Sequence, residues 1–323
     1  MNTTATTIRL STADDILTAI PYLLGYHPTD SLVFICINEG QVSATGRIDL
    51  TSPPPPSALT QLLARQARDG VTAILLVGYG PATAVTTTVE VFRDACREQN
   101  IAVKEALRVT HGRYWSYLCP GGDCCPIDGE PTPAAESTVA TQFVAAGHQA
   151  LPDRQHLAGM LDPVDHINSG EIAAMISAVR PCGDTCQEAL LLLRHYIHAQ
   201  SLPDTEQTAL ILAALRRDPD LVADVLTAID TNPPGACLEV LTWVTRLATP
   251  GYIAAPASLL AYAAWRTGNG AFANIACEHA RTDDPDHDLA GAVHQLLTVG
   301  INPTTVPPLT GLSTETAAAS PAA

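Results

Sequence analysis

The opening stretch of the chain places its apolar residues with the spacing of an amphipathic helix. Ser11 and Asp14 have the spacing and side chains of a capping box, so we predict that the helix begins there. Pro21 removes a backbone donor and should kink or shorten this helix, which Gly25 then ends. After Gly25 the helical spacing of apolar residues ends.

Strand-like and helical stretches alternate over the next hundred residues. Continuous or alternating apolar runs predict strands over residues 32–37, 41–50, 71–77, 101–109 and 113–118. Helical spacing predicts helices over residues 57–69 and 84–99. The first two strands read as a hairpin, and the order strand, helix, strand over residues 71–109 implies at least one parallel crossover.

Beyond residue 133 the pattern is almost entirely helical. We therefore predict an α/β (α+β) fold: a small mixed sheet with flanking helices over residues 8–133, followed by an all-helical domain over residues 134–303. The remaining residues, 304–323, are rich in Thr, Pro and Ala and are predicted to be a disordered tail.

The net charge of the chain limits the classes of partner that we expect it to bind. Asp and Glu number 33 against 17 Lys and Arg, a formal net charge of -16. Such a chain is repelled by phosphate backbones and anionic lipid, so we expect neither nucleic acid nor a membrane as partner. The first residues lack the basic leader and apolar run of a signal peptide, and the apolar runs are too short to span a bilayer. We expect a cytoplasmic protein whose nine cysteines are reduced.

The loop over residues 119–133 gathers cysteines and is the first candidate for chemistry. Cys119 and Cys124 or Cys125 have a spacing that a tetrahedral zinc site tolerates, with His111 as a further ligand. Two other interpretations stay open: cysteines that fill an apolar corner of a tight turn, or a reactive thiol activated by a neighbouring cation.

The loop from Tyr26 to Ser31 is the second candidate. His27, Asp30 and Ser31 have the residue types of a hydrolytic triad, but triad members meet through space and rarely lie within five positions. The simpler interpretation is structural, with Asp30 in a turn and Arg47 paired with Asp30 or Asp49. The functional alternative is a small polar ligand, since the guanidinium of Arg47 suits a carboxylate or phosphate.

A third loop, residues 78–81, follows a buried strand and precedes a helix. Ligands in open α/β sheets bind beyond the carboxyl ends of strands, although this loop lacks the glycines and lysine of nucleotide-binding motifs and also reads as a plain connector. The residues we propose as ligand candidates combine these loops with the strand after residue 112; they are Tyr26, His27, Asp30, Ser31, Arg47, Asp49, Tyr79, Arg113 and Trp115.

The acidic run over residues 283–288 is the last candidate. Its spacing is not that of an EF-hand, and Asp286 as a helix N-cap with Asp288 in the first turn explains it without a cation.

Several blocks of the sequence together resemble a known family. These blocks are residues 19–33, 47–50, 115–119, 124–126 with Gly129, 264–271, 284–287 and 289–290. In this order and spacing they are similar to an uncharacterised bacterial family, domain of unknown function 4192. The resemblance spans about Leu10 to Pro303 and carries no activity to this chain. The pair Cys182 and Cys186 is not a feature of that family.

No motif identifies a reaction. The leading hypothesis is a non-catalytic ligand- or partner-binding regulatory protein, with the three loops converging on a pocket at the junction of the two halves. The alternatives are a hydrolase or transferase that uses a thiol or zinc in the loop over residues 119–129, and a scaffold that acts through the helical half.

Overall fold

The computed structural model describes residues 8–119, 126–134, 136–180, 183–232 and 235–309. The chain divides into two compact units. The first extends to Gly159 and includes Thr298–Ile301, and the second comprises Met160–Leu297 and the residues from Asn302 onward. The expected fold class is confirmed: a mixed sheet with flanking helices lies in the first unit and helices make up the second.

The sheet has six described strands in the order β2-β1-β3-β4-β5-β6. The strands are β1 Ser31–Asn38, β2 Gln41–Asp49, β3 Ala73–Tyr79, β4 Ala102–Thr110, β5 Arg113–Ser116 and β6 Glu130–Pro131. Strands β3 and β4 are parallel, and the other neighbouring pairs are antiparallel. The predicted hairpin and the predicted parallel crossover are therefore both present.

Within the described residues, four longer α-helices and one short α-helix belong to the first unit, and eight α-helices belong to the second. Those of the first unit are α1 Ala13–Leu24, α2 Pro56–Arg68, α3 Ala82–Glu98, α4 Thr138–Ala145 and α5 Arg154–Ala158. Those of the second are α6 Ser169–Ala178, α7 Gly183–Ala199, α8 Thr205–Leu215, α9 Pro219–Thr231, α10 Ala236–Leu247, α11 Ala254–Arg266, α12 Gly270–Asp283 and α13 Asp288–Val299.

Helices α2 and α3 cover one face of the sheet. Alternate residues of β1 and β3, such as Leu32, Phe34 and Leu76, form one apolar cluster with side chains of these helices. Phe34 lies 5.3 Å from Phe92 of α3, measured between ring centroids. Side chains of a strand alternate between faces, so the intervening residues, including Ser31 and Val33, point to the opposite face.

The opposite face carries α1, which contacts β2 and α4. Helix α1 begins one residue later than predicted, because Thr12 caps it and Asp15 completes the capping box. Pro21 lies inside the helix, buried, and does not shorten it: α1 still reaches Leu24, and Gly25 ends it with φ 81°.

The boundary between the units lies later than the predicted division after residue 133. Helix α4 packs on α1, and the rings of Phe143 and Tyr22 are stacked 5.2 Å apart. Farther on, Leu151 forms an isolated parallel bridge with Tyr26. These tertiary contacts join residues 134–159 to the sheet domain, and helical spacing alone does not reveal them.

Helix α11 is the centre of the second unit. Every residue from Ala254 to Trp265 is buried, and the helix packs against α9, α10 and α12. The segment 302–309 also belongs to this unit, since Arg266 Nη1 donates to the carbonyl oxygens of Pro303 at 2.9 Å and Val306 at 2.8 Å. The first residues of the predicted disordered tail are thus bound, and residues 310–323 lie outside the described part.

Candidate functional site

The start of β1 brings together five of the predicted ligand residues. Ser31 is paired with Asp49 of β2 on one side and with Tyr79 of β3 on the other, so all three lie on one face. Arg47, two residues before Asp49, lies on the same face. Asp30 precedes the strand with a positive φ of 43°, and its carbonyl oxygen accepts from the N–H of Leu50 at 3.0 Å.

The sequence left Asp30 and Asp49 open as partners of Arg47, and the structure pairs Arg47 with Asp49. Its Nη2 lies 3.2 Å from Asp49 Oδ2, and it also donates to the carbonyl oxygen of Thr29 at 3.5 Å. Asp49 Oδ1 accepts from the hydroxyl of Thr51 at 2.7 Å and from its N–H at 3.0 Å. The hydroxyl of Thr51, above all, lowers the pKa of Asp49, and the charge of Arg47 acts in the same direction.

Two polar atoms of this cluster are buried without a hydrogen-bond partner. They are Ser31 Oγ and Arg47 Nε, and within the described residues nothing satisfies either atom. Ser31 is fully buried in a strand that is otherwise apolar over its first six residues. Burial also raises the pKa of the neighbouring Tyr79.

The other two residues of the N-terminal loop have different surroundings. The side chain of Tyr26 is buried, and the backbone of His27 donates to the carbonyl oxygen of Leu151 at 3.0 Å. The side chain of His27 is exposed. Tyr26 therefore contributes to packing beside the bridge with Leu151, whereas His27 borders the solvent.

The loop over residues 78–81 begins later than the sequence suggests. Gly78 still belongs to β3, where a Cβ would collide with Val85 of α3, so the strand needs glycine at this position. Gly80 has φ 144°, and a Cβ built on it would lie 3.6 Å from Asp30 Oδ1. The loop over residues 26–31 and the turn at Gly80 are therefore neighbours.

A cavity of about 390 Å³ lies within the first unit, at the β4, β5 and β6 side of the sheet. Its apolar lining includes Leu107, Trp115 and Leu118. The remaining described lining residues are Ala13, Glu105, Tyr114, Ser116, Cys119, Pro126, Gly129 and Glu130. Its volume is in the range of pockets that hold small molecules.

Glu105 and Ser116 form the polar part of this lining. Glu105 Oε1 accepts from the hydroxyl of Ser116 at 2.7 Å and from the N–H of Ala106 at 2.8 Å. Ser116 Oγ in turn accepts from the N–H groups of Leu118 and Cys119 at 3.1 and 3.2 Å. Along the described chain, neither Glu105 nor Glu130 has a salt-bridge partner.

Three contacts position the ring of Trp115 in the cavity lining. Its Nε1 donates to the carbonyl oxygen of Ile127 at 3.1 Å, and the guanidinium carbon of Arg108 lies 3.9 Å from the ring centroid. A Cβ on Gly129 would lie 2.5 Å from Trp115 Cε2, so the ring fits only because this residue is glycine. Arg113 Nη2 donates to the carbonyl oxygen of Gly129 at 2.8 Å and so fixes the loop.

The proposed metal ligands are only partly described. His111 lies in the turn between β4 and β5 with φ 50°, whereas Cys119 follows the other end of β5, so the strand separates them. Cys124 and Cys125 lie outside the described residues. Where the structure describes the chain, no group of three or more His, Cys, Asp or Glu side chains could hold a metal ion.

Sequence reasoning missed Glu105, Ser116 and Glu130. Glu105 breaks an apolar alternation in β4, which is the one local signal that a polar group faces inward. Glu105 lines the same cavity as Ser116 and Glu130 because β4, β5 and β6 are neighbours in the sheet. The sequence pattern does not predict this strand order.

Comparisons with protein families, curated proteins and solved structures show what this chain is similar to. In the part of the chain that the structure describes, no helix has both the length and the apolar character needed to cross a bilayer. No curated protein and no solved structure matches the chain. A family model described as domain of unknown function (DUF4192) matches residues 14–304, which covers both units. The chain therefore belongs to the DUF4192 family.

Proposed function

We propose that the protein is a binding protein for a small molecule that carries a cationic nitrogen, and that the cavity beside Trp115 is its site. The observation that carries the proposal is the pair of carboxylates, Glu105 and Glu130, on an otherwise largely apolar cavity wall. No cation of the described chain forms a salt bridge with either carboxylate, so a ligand cation in the cavity can pair with them.

Two arginines contact residues of the cavity lining, but neither is itself among the described lining residues. Arg108 stacks on the ring of Trp115, and Arg113 donates to backbone carbonyl oxygens of the loop after β5. The whole chain adds a net charge of -16, which attracts cations and repels anions at long range.

The proposal is tested with a thermal-shift screen of organic amines, including putrescine, spermidine, agmatine, histamine and choline, at constant ionic strength. A ligand that binds only the folded state raises the melting temperature in a saturable way. We expect Glu105→Gln and Glu130→Gln each to weaken binding about tenfold, the effect of losing roughly 1.4 kcal/mol of charge interaction. Gln keeps the acceptor that Ser116 needs.

Glu90→Gln provides the matched control. Glu90 is exposed on α3, so this substitution removes the same charge at a position away from the cavity. An amine whose affinity changes equally in all three variants senses only the net charge of the protein. That result, or no saturable shift with any amine, contradicts the proposal.

A second candidate function is thiol chemistry at Cys119, because this half-buried cysteine lines the same cavity. A hydrolase or transferase of this kind needs a thiolate at neutral pH. The rate of alkylation against pH, compared between the native chain and Cys119→Ser, measures the pKa of this thiol. Zinc content in the native chain and in a Cys119→Ser, Cys124→Ser variant tests the metal alternative for the same loop.

We propose the cytoplasm as the compartment. The support is that no disulfide joins the six cysteines in the described part and that Cys36 and Cys96 are buried. Burial raises the pKa of each of these two thiols to about 12, so they are unreactive core residues.

A further inference from the structure

The two glutamates that line the proposed amine site lie on one face of the sheet. Leu107 of β4 pairs with Ser116 of β5, and Tyr114 of β5 pairs with Glu130 of β6. Residues that are two apart on a strand share a face, and so do residues directly opposite each other on neighbouring strands. Glu105, two residues before Leu107, is therefore on the same face as Glu130.

A whole strand separates these two glutamates. Strand β5 lies between β4 and β6. Neighbouring strands are about 4.8 Å apart, so the α-carbons of Glu105 and Glu130 are separated by roughly 10 Å across the strands alone. Glu130 is opposite Tyr114, whereas Glu105 lies beyond the pair of Leu107 and Ser116, and this offset along the strands adds to the separation. The backbone thus anchors the two acidic side chains at separate positions on the cavity wall.

Both side chains keep carboxylate oxygens that no described residue uses. Glu105 Oε1 accepts from the hydroxyl of Ser116 at 2.7 Å and from the N–H of Ala106 at 2.8 Å, which holds this carboxylate close to its own strand. Within the described residues, nothing donates to Glu105 Oε2 or to the carboxylate of Glu130, and neither group forms a salt bridge. Such oxygens accept charge-assisted hydrogen bonds from the N–H groups of an ammonium.

The number of carboxylates sets the number of cationic groups that the ligand needs. A ligand with one ammonium compensates one of the two carboxylates and leaves the other without a partner in the cavity. A ligand with two ammonium groups compensates both, and two groups joined by a chain match two anionic positions that lie apart.

The rest of the lining defines the middle of the ligand. Leu107 and Leu118 are apolar lining residues, and an apolar chain between the two ammonium groups packs against such a wall. The ring of Trp115 already stacks on Arg108, whose guanidinium carbon lies 3.9 Å from the ring centroid. That stacking occupies an aromatic face of the kind that binds quaternary ammonium groups, which favours ligands held through N–H donors instead.

We propose that the ligand of this cavity is a primary diamine, in which an apolar chain joins two ammonium groups that pair with Glu105 and Glu130. This assignment rests on the amine-binding function proposed above and narrows it from amines in general to one class.

The first test compares ligands on the native full-length chain by titration calorimetry at constant ionic strength. The diamines are diaminopropane, putrescine, cadaverine, hexamethylenediamine and diaminooctane, and each is paired with the amino alcohol of equal length, in which a hydroxyl replaces one ammonium. We expect one length to bind best, and to bind at least about tenfold more tightly than its amino alcohol. A chain that only fills apolar space instead gains affinity with every added methylene.

Substitutions assign the advantage of the second ammonium to the two carboxylates. Glu105→Gln and Glu130→Gln each remove one charge, and in either variant the diamine should lose its advantage over the amino alcohol. Glu90→Gln, on the exposed side of α3, should retain the full advantage. The melting temperature of each variant without ligand confirms that it is folded, and the comparison of ligands on the native chain needs no variant.

Hexamethonium separates specific pairing from general attraction. It carries two charges on a chain of the same length as hexamethylenediamine, but its quaternary nitrogens have no N–H donors. The net charge of -16 attracts both dications alike at long range. We expect hexamethonium to bind at least about tenfold more weakly than hexamethylenediamine.

The outcomes distinguish this assignment from the function on which it rests. Amino alcohols or hexamethonium that bind as tightly as the matching diamines overturn the diamine assignment, while a specific amine site remains. The same holds for affinity that only rises with chain length, or for a diamine advantage that survives Glu105→Gln or Glu130→Gln. The absence of saturable binding by any amine overturns both proposals.

Discussion

Gly129 shows how one residue without a side chain shapes the cavity. Its φ is 75°, and a Cβ would lie 2.5 Å from Trp115 Cε2. Gly112, in the turn between β4 and β5, has a similar φ of 71°, but open space surrounds the position of its Cβ. An alanine at position 112 therefore tests the cost of backbone strain alone, whereas an alanine at position 129 adds a collision with Trp115.

We predict that Gly112→Ala lowers the free energy of unfolding by about 1 to 2 kcal/mol, the cost of a positive φ for a residue with a side chain. Gly129→Ala should cost about 1 to 3 kcal/mol more, because Trp115 must move or the loop must shift. Urea unfolding measures both changes, and tryptophan fluorescence reports the displaced ring. Equal losses in the two variants contradict a tight fit of Trp115 on Gly129.

The site residues that sequence reasoning identified are those that one hairpin brings together. Ser31, Arg47 and Asp49 lie on β1 and β2, whose pairing follows from a short turn and alternating side chains. Arg113 and Trp115 do not join them, because three strands separate β5 from β2. Strand order in the sheet is a property of tertiary packing, so the cavity lined by Glu105 and Glu130 could not be predicted from local pattern.

At the scale of single elements, the N-terminus of α1 allows a direct comparison of two adjacent residues. Thr12 Oγ1 accepts from the N–H of Asp15 at 3.1 Å, whereas Ser11 contributes its backbone N–H to Asp15 Oδ2 at 2.8 Å. We predict that Thr12→Ala lowers the free energy of unfolding by about 1 kcal/mol, while Ser11→Ala, the cap that the sequence suggested, changes it little. Thermal and urea unfolding check this; a larger loss for Ser11→Ala contradicts the observed cap.

The same capping box has a defined pH dependence. The backbone N–H of Ser11, with help from the N–H and hydroxyl of Thr12, holds the pKa of Asp15 below its usual range. A carboxyl with a lowered pKa contributes stability that is complete above the ordinary Asp pKa and is lost as pH falls through the folded value. The difference in stability between the native chain and Asp15→Asn should therefore be constant near neutral pH and shrink in acid.

The predicted cap of α13 is wrong, although Asp288 does lie in the first turn of this helix as expected. The acidic run of residues 283–288 was predicted to cap α13 through Asp286, but the N–H of Ala290 donates to His287 Nδ1. Asp283 instead accepts from the N–H groups of Gly251, Ile253 and Ala254, and so caps the start of a helix far away in sequence. Pattern alone identifies a good capping residue without identifying which helix it caps.

At the scale of the whole molecule, two segments that the sequence pattern places in the helical part belong to the first compact unit. Helix α4 joins the sheet domain through stacking of Phe143 on Tyr22. The short segment Thr298–Ile301 also belongs to the first unit, where Gln66 Nε2 donates to the carbonyl oxygen of Gly300 at 2.8 Å. Such assignments depend on contacts between residues distant in sequence, which composition and periodicity do not encode.

The segment 302–309 completes a buried ion pair of the second unit. Asp230 has a fully buried side chain and accepts from Arg266 Nε at 2.6 Å, from the hydroxyl of Tyr262 at 3.0 Å and from the N–H of Leu309 at 2.7 Å. Arg266 Nη1 donates to two carbonyl oxygens of the segment, those of Pro303 and Val306. A buried pair of this kind is stable only when its remaining hydrogen-bonding groups are satisfied.

We therefore predict that a chain ending at Ile301 loses on the order of 3 kcal/mol of unfolding free energy, because the pair loses three charge-assisted hydrogen bonds at once. A chain ending at Leu309 keeps all three and should be as stable as the full chain. Urea unfolding of the three proteins, followed by circular dichroism of the helices, measures the difference. Equal stability of the two shortened chains means that Arg266 and Asp230 find other partners, and the segment is then no part of the core of the second unit.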